Sequence, residues 1–123
     1  MKLTRTWANS QPDDAGVYML FEKGKPVYVG ESGKISVRIY DMLDSRHHTV
    51  RRAIGELRFS NHEGHQKATS KHKHPEHIET LVQKTMSKLK LCVLPISIGR
   101  KEFEEYIYPI YEPDFNRKSK RGA

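Results

Sequence analysis

Between residues 25 and 43 the chain reads KPVYVGESGKISVRIYDML, a strand-like run that stops at a glycine and turns into a segment of helical period. It carries Tyr28 at the end of the strand and a single arginine, Arg38, eight residues beyond Gly30. A second tyrosine, Tyr18, lies upstream in GVYMLF. Far downstream, Glu104 opens the acidic and aromatic stretch EEYIYPIYEPDFN, which closes on Asn116. These residue types have a common use at a phosphate. An arginine offers several fixed donors to phosphate oxygens, and a carboxylate offers hard oxygen ligands to a divalent cation. A phenol moves protons once nearby charge displaces it from its ordinary pKa of about 10.

The charge pattern suits the same use. The formal net charge of +7 is uneven: residues 45–90 hold ten Lys/Arg against four Asp/Glu, and residues 117–123 hold four against none. Such a concentration fits a surface that neutralises phosphates. It fits equally a solvated basic face that keeps a protein soluble. On the first reading the contacts are Arg46, His47, His48, Arg51, Arg52, Lys67, Lys71 and Lys73. The single cysteine, Cys92, has no partner in the chain, which excludes an internal disulfide and a cysteine-only zinc site, and its apolar setting predicts a buried thiol. No apolar run approaches the roughly 18 residues of a membrane span, and no leader pattern is present, so a cytoplasmic protein with no membrane association is expected.

For the candidate side chains to meet, a small sheet and its helices must bring distant segments together. A chain of 123 residues is one domain. Residues 1–15 read as a lead-in loop, GVYMLF as a first strand by alternation, and KPVYV as a second. A three-residue loop of Glu22, Lys23 and Gly24 sets Tyr18 directly opposite Tyr28, whereas a two-residue loop shifts the pairing by one and separates them to opposite faces. Ile35, Ile39, Met42 and Leu43 then keep helical spacing, with Arg38 about 60° from Ile35 at the edge of the apolar stripe. A helix over 49–58 turns Val50, Ala53, Ile54 and Leu57 inward and Arg51, Arg52 and Arg58 outward, with Gly55 weakening it. FSNHEGHQKATSKHKH has no period and reads as a loop; a helix follows Pro75 with Ile78, Leu81, Val82 and Leu89 inward. LCVLPISI is a third strand, central by its continuous apolar character although Pro95 favours an edge. A last helix presents Phe103, Tyr106, Ile107 and Ile110, strained by Pro109. The fold class is therefore α+β: a small three-stranded sheet, an N-terminal antiparallel hairpin plus a later strand, flanked by helices. The domain covers 1–116 with a basic, histidine-rich insertion at about 45–90, and a basic, flexible tail covers 117–123.

GVY at 16–18, YVG at 28–30, Arg38, and Glu104 followed by Ile107, Tyr111, Pro113 and Asn116 resemble the GIY-YIG nuclease family in kind, order and spacing. The resemblance covers the core of the chain and not its middle. It implies a Mg²⁺-dependent endonuclease acting on DNA, with Mn²⁺ as a substitute metal, no small-molecule cofactor, and hydrolysis that leaves a 5′-phosphate. In the roles it implies, Tyr18 activates water, Tyr28 positions water and phosphate, Arg38 stabilises the transition state, Glu104 binds the metal and Asn116 holds the local geometry. Four residues after the arginine, many members of the family carry a His or Tyr that assists proton transfer; this chain has Met42, and His47 or His48 is the candidate replacement. A homodimer would supply a second copy for the other strand.

Two other readings stand beside it. One is a nucleic-acid-binding module of the same fold that does not cut. The other makes the seven histidines, all between residues 47 and 77, zinc ligands of an interaction protein, against which stand the absence of thiolates and of regular ligand spacing. The histidines are expected instead to lie in a solvated loop that touches nucleic acid and gains charge as pH falls.

Overall fold

The computed structural model describes residues 1–116, and the expected basic tail, 117–123, lies outside the described residues. The hairpin of β1 (Gly16–Glu22) and β2 (Lys25–Ser32) turns on Lys23 and Gly24, with φ of 50° and 80°. Positive φ at both central residues makes a two-residue primed turn, whose twist matches that of the strands. This replaces the expected three-residue loop, yet the tyrosines stay on one face. Glu22 pairs with Lys25 and Phe21 with Pro26, but Leu20 pairs with Tyr28, so Val27 is an extra residue in β2. That bulge restores the parity which the shorter turn would have lost. Tyr18 therefore faces Gly30, and Tyr28 is its diagonal neighbour instead of its direct partner.

The sheet order is β2-β1-β3, with β3 (Lys90–Pro95) antiparallel to β1. β3 is thus an edge strand, not the central one; Leu91 and Val93 turn inward while Cys92 and Leu94 are exposed. The thiol expected to be buried lies on the outer side of that edge. Apolar continuity misled here because an edge strand buries only one of its faces.

A short helix, α1 (Arg5–Asn9), occupies part of the expected lead-in loop, capped by the Thr4 hydroxyl, which accepts from the Trp7 amide at 3.1 Å. α2 (Ile35–Asp41) has no side-chain cap; its first amides, of Ile35 and Ser36, donate to the carbonyls of Asp14 and Pro12. The helices α3 (Thr49–Phe59) and α4 (Glu76–Ser87) pack on each other. Ala8, Leu20, Ile35, Ile39, Met42, Val50, Ile54, Ile78, Val82, Met86, Leu89 and Phe115 form one buried cluster with Tyr18 and Tyr28. Burying the large aliphatic members contributes about 1.5–3 kcal/mol each. Leu57, expected inward, is 61% exposed.

The last helix, α5 (Arg100–Tyr111), packs against β2 and β1 and runs through Pro109. Its orientation differs from the expectation. Tyr106 and Ile110 are exposed, and Glu104 is its one buried residue. After α5 the chain returns to the free edge of β2, where the Phe115 amide donates to the bulged Val27 carbonyl at 2.9 Å. Among the described residues no helix is long and apolar enough to cross a membrane.

Candidate active site

Tyr18, on the central strand, is 1% exposed, and its ring lies across Gly30 of the neighbouring strand. A Cβ on Gly30 would stand 2.5 Å from Tyr18 Cζ and 2.6 Å from its Oη. Gly16 has a similar reason to be glycine: a Cβ there would stand 2.5 Å from the Leu94 carbonyl oxygen of β3. The two glycines thus let β1 lie close to both neighbours while one of them leaves room for a phenol. Gly30→Ala is expected to cost about 1–3 kcal/mol of stability through overpacking, read as a lower denaturation midpoint with unchanged denaturant slope.

Tyr28 is 7% exposed and stacks at a tilt on Tyr18, ring centroids 5.9 Å apart. Arg38 comes from the edge of α2, its stem half-buried, and its Nη1 donates to the His47 carbonyl at 3.0 Å and to Asp41 Oδ2 at 3.2 Å. Its charge also lies near enough to Tyr18 to favour the phenolate. The fourth member is His48, fully buried at the N-cap of α3. Its Nδ1 accepts from the Val50 amide at 3.0 Å, and its Nε2 lies 2.7 Å from Tyr18 Oη. The imidazole sits 5.3 Å from the Tyr28 ring, centroid to centroid. His48 was expected among the solvent-facing phosphate contacts; the structure places it beneath the tyrosines instead. Met42 is fully buried in the hydrophobic cluster, so that position offers no proton to the site.

The electrostatics follow from burial. Desolvation pushes the Tyr18 phenol well above its ordinary value, the neighbouring Tyr28 adds to this, and Arg38 opposes it. Burial holds His48 well below the ordinary histidine value, with Arg38 and Arg52 adding to the effect, so the ring is neutral at neutral pH. Burial works against the charge of Arg38, but Tyr18, Tyr28 and Asp41 more than offset it and leave its pKa raised.

Glu104 is 6% exposed on α5, the helix that rests on the two tyrosine-bearing strands. One turn earlier, Arg100 Nε donates to Glu31 Oε2 of β2 at 2.9 Å, pinning the start of the helix beside Gly30. Asn116 spans the free edge of β2: its Oδ1 accepts from the Val29 amide at 2.9 Å and its Nδ2 donates to the Val29 carbonyl at 2.8 Å. It acts as a one-residue strand extension, tying the segment after α5 to the strand that carries Tyr28.

A search of solved structures finds this fold in a point variant of the GIY-YIG N-terminal endonuclease domain of UvrC from Thermotoga maritima, bound to its catalytic divalent cation. The match has a TM-score of 0.53 at 18% identity and covers 95% of this chain and 98% of that one. The chain has the GIY-YIG endonuclease-domain fold. The same UvrC domain bound to magnesium superposes with a TM-score of 0.49 at 18% identity, over 95% of this chain and 99% of that one. No protein-family model and no curated protein matches the sequence.

Within this GIY-YIG fold, the donor set for a metal is spare. Among the described residues no group of three or more His, Cys, Asp or Glu comes together. A single carboxylate fits Mg²⁺, which keeps several waters and takes further ligands from phosphate, and would not hold zinc. The histidine-rich segment is instead a self-tied loop. His65 Nε2 donates to the Gly55 carbonyl, His74 Nδ1 to that of Gln66 and His77 Nε2 to that of Glu63, at 3.1, 3.0 and 2.8 Å. His74 is buried against α3 where a Cβ on Gly55 would stand 2.3 Å from its Nε2, which is why that helix tolerates a glycine.

The expected basic contacts divide in the same way. Arg51, expected outward, is 4% exposed and paired with Glu79 at 3.2 Å, with Gln83 Oε1 accepting at 2.8 Å. It faces inward because α4 supplies its partners, and it has no access to a phosphate backbone. Arg52 donates to the carbonyls of Ser45 and Arg46. Arg46 and Lys73 both reach Asp44, whose carboxyl Arg46 holds far below the usual range. Lys67 reaches Glu56 at 3.5 Å, and His47 and Lys71 are exposed.

Proposed function

We propose that the protein is a Mg²⁺-dependent endonuclease that hydrolyses DNA phosphodiesters. The observation that carries this reading is the meeting of Tyr18, Tyr28 and Arg38 on the tyrosine face of a GIY-YIG fold. Glu104 holds the metal, and the cation supplies charge stabilisation at the phosphate oxygens when bound. Arg38 presents its donors where negative charge develops. Tyr18 takes the proton from the attacking water, and Tyr28, the less buried phenol, orients water and phosphate. Asn116 keeps β2 and the end of α5 in register. Arg46, His47, Arg52, Lys67, Lys71 and Lys73 are the exposed or half-exposed groups left to follow the DNA backbone. Contacts of this kind position a duplex without reading its bases.

The test is nicking of supercoiled plasmid with Mg²⁺, with EDTA, and by Glu104→Ala. EDTA should abolish nicking, and the variant, which loses the carboxylate that holds the metal, should lose more than the roughly 10–100-fold that removing an outer partner of a metal ligand costs. Equal rates for parent and variant would remove Glu104 from the site. Retention of DNA in a gel shift with no nicking under any metal condition would make the protein a binding module. Binding should weaken steeply between low and physiological salt, and a flat response would count against a phosphate-tracking surface.

A further inference from the structure

The geometry points to His48 as a positioning residue that donates its Nε2 proton to the Tyr18 oxygen, its tautomer being set by the α3 backbone. The Val50 amide donates to Nδ1 at 3.0 Å, so Nδ1 carries a lone pair and the ring's one proton lies on Nε2. Nε2 is 2.7 Å from Tyr18 Oη. The phenol oxygen therefore accepts from His48, with the Tyr28 ring tilted against its own ring at 5.9 Å and the Arg38 charge near enough to favour the phenolate. Order runs from the core outward: His48 fully buried, Tyr18 at 1% exposure, Tyr28 at 7%. In this arrangement the imidazole has no lone pair free for a proton from Tyr18. It acts by holding the oxygen and by favouring the phenolate, as a fixed donor in a dry site does. The charged and titratable groups around it are Tyr18, Tyr28, Arg38 and Arg52; burial, with both arginines adding to it, keeps the ring neutral. The donor thus reaches the tyrosine from the N-cap of the next helix, while Met42 is committed to the core.

The effect on rate rests on the nuclease reading above; the tautomer does not. ¹⁵N NMR of the full chain should show His48 as the Nε2–H form throughout neutral pH, and an Nδ1–H or doubly protonated ring there would overturn the assignment even if no nuclease activity is found. Two substitutions separate capping from donation. His48→Asn keeps an acceptor for the Val50 amide but has nothing at the Nε2 position, whereas His48→Gln can place an amide N–H near it and gives up the cap. His48→Asn should nick about 10–100-fold more slowly than the parent, the range for a lost hydrogen bond to a charged group, with His48→Gln recovering most of that loss. Parental activity in His48→Asn, or equal loss in both variants with native circular dichroism, would refute the donor role.

Discussion

Tyr18→Phe should lower plasmid nicking by about 10²–10⁴-fold, the range for a positioned acid or base, while the hairpin stays folded. Phenylalanine keeps the ring that fills the space over Gly30 and loses only the oxygen. That oxygen is the acceptor for His48, so the variant leaves a buried N–H unmatched, at about 1–3 kcal/mol. The pH dependence separates the chemical loss from the structural one. Because burial raises the Tyr18 pKa, the phenol is protonated at neutrality and the phenolate fraction grows about tenfold per pH unit on the way up. The logarithm of the parental rate should therefore rise with pH through the neutral and mildly alkaline range. Linkage acts in the opposite sense on stability. A group whose folded pKa lies above its unfolded value contributes stability in full below the unfolded value, near 10 for tyrosine, and that contribution is lost as pH climbs through the folded value. Activity should thus rise and then collapse as the fold gives way, and Tyr18→Phe should remove the rise. An unchanged rate, or the same rising profile in the variant, would take Tyr18 out of proton transfer.

The parts of this site that were legible in the sequence are those carried by short-range pattern. The strand alternation, the helix opening at Ile35 and the place of Arg38 beside its apolar stripe follow from period and spacing alone. The tyrosines share one face, as the three-residue loop predicts, but for a different reason. They do so because a bulge at Val27 compensates a two-residue turn, and nothing in KPVYV announces a bulge whose carbonyl is claimed by Phe115, nearly ninety residues later. Long-range partners also decide the side chains that were misplaced. Arg51 has the helical position of an exposed residue until α4 brings Glu79 and Gln83 to it. α5 shows an apolar stripe of Tyr106 and Ile110 that stays in solvent, because the face held to the sheet is the one carrying Glu104. His48 was legible as a candidate by its chemistry but not by its burial. Thr49 is the more ordinary N-cap beside it, and choosing His48 instead is what turns an imidazole toward Tyr18.

Arg38→Ala should reduce nicking by about 10²–10³-fold, the cost of removing one fixed donor from developing transition-state charge, and Arg38→Lys should recover little of it. The lysine retains a positive charge within reach of Asp41, whose pairing with Arg38 is half-exposed and adds little to stability. What it lacks is the planar fork. Arg38 uses Nη1 on the His47 carbonyl and Asp41, which leaves its other donors for a phosphate, and the neighbouring Tyr18, Tyr28 and Asp41 offset the cost of burying its stem, so its pKa is raised. An ammonium on a flexible chain cannot hold that geometry and still face a phosphate. The loss should fall on kcat more than on DNA affinity, since one cation among many contributes modestly to backbone binding but strongly to the transition state. Single-turnover nicking at saturating protein, beside a gel-shift titration of the same variants, measures both. If Arg38→Lys nicks at the parental rate, a point charge suffices at this position; if the whole loss lies in DNA affinity, Arg38 belongs to the binding surface and the catalytic donor must be sought among the other arginines.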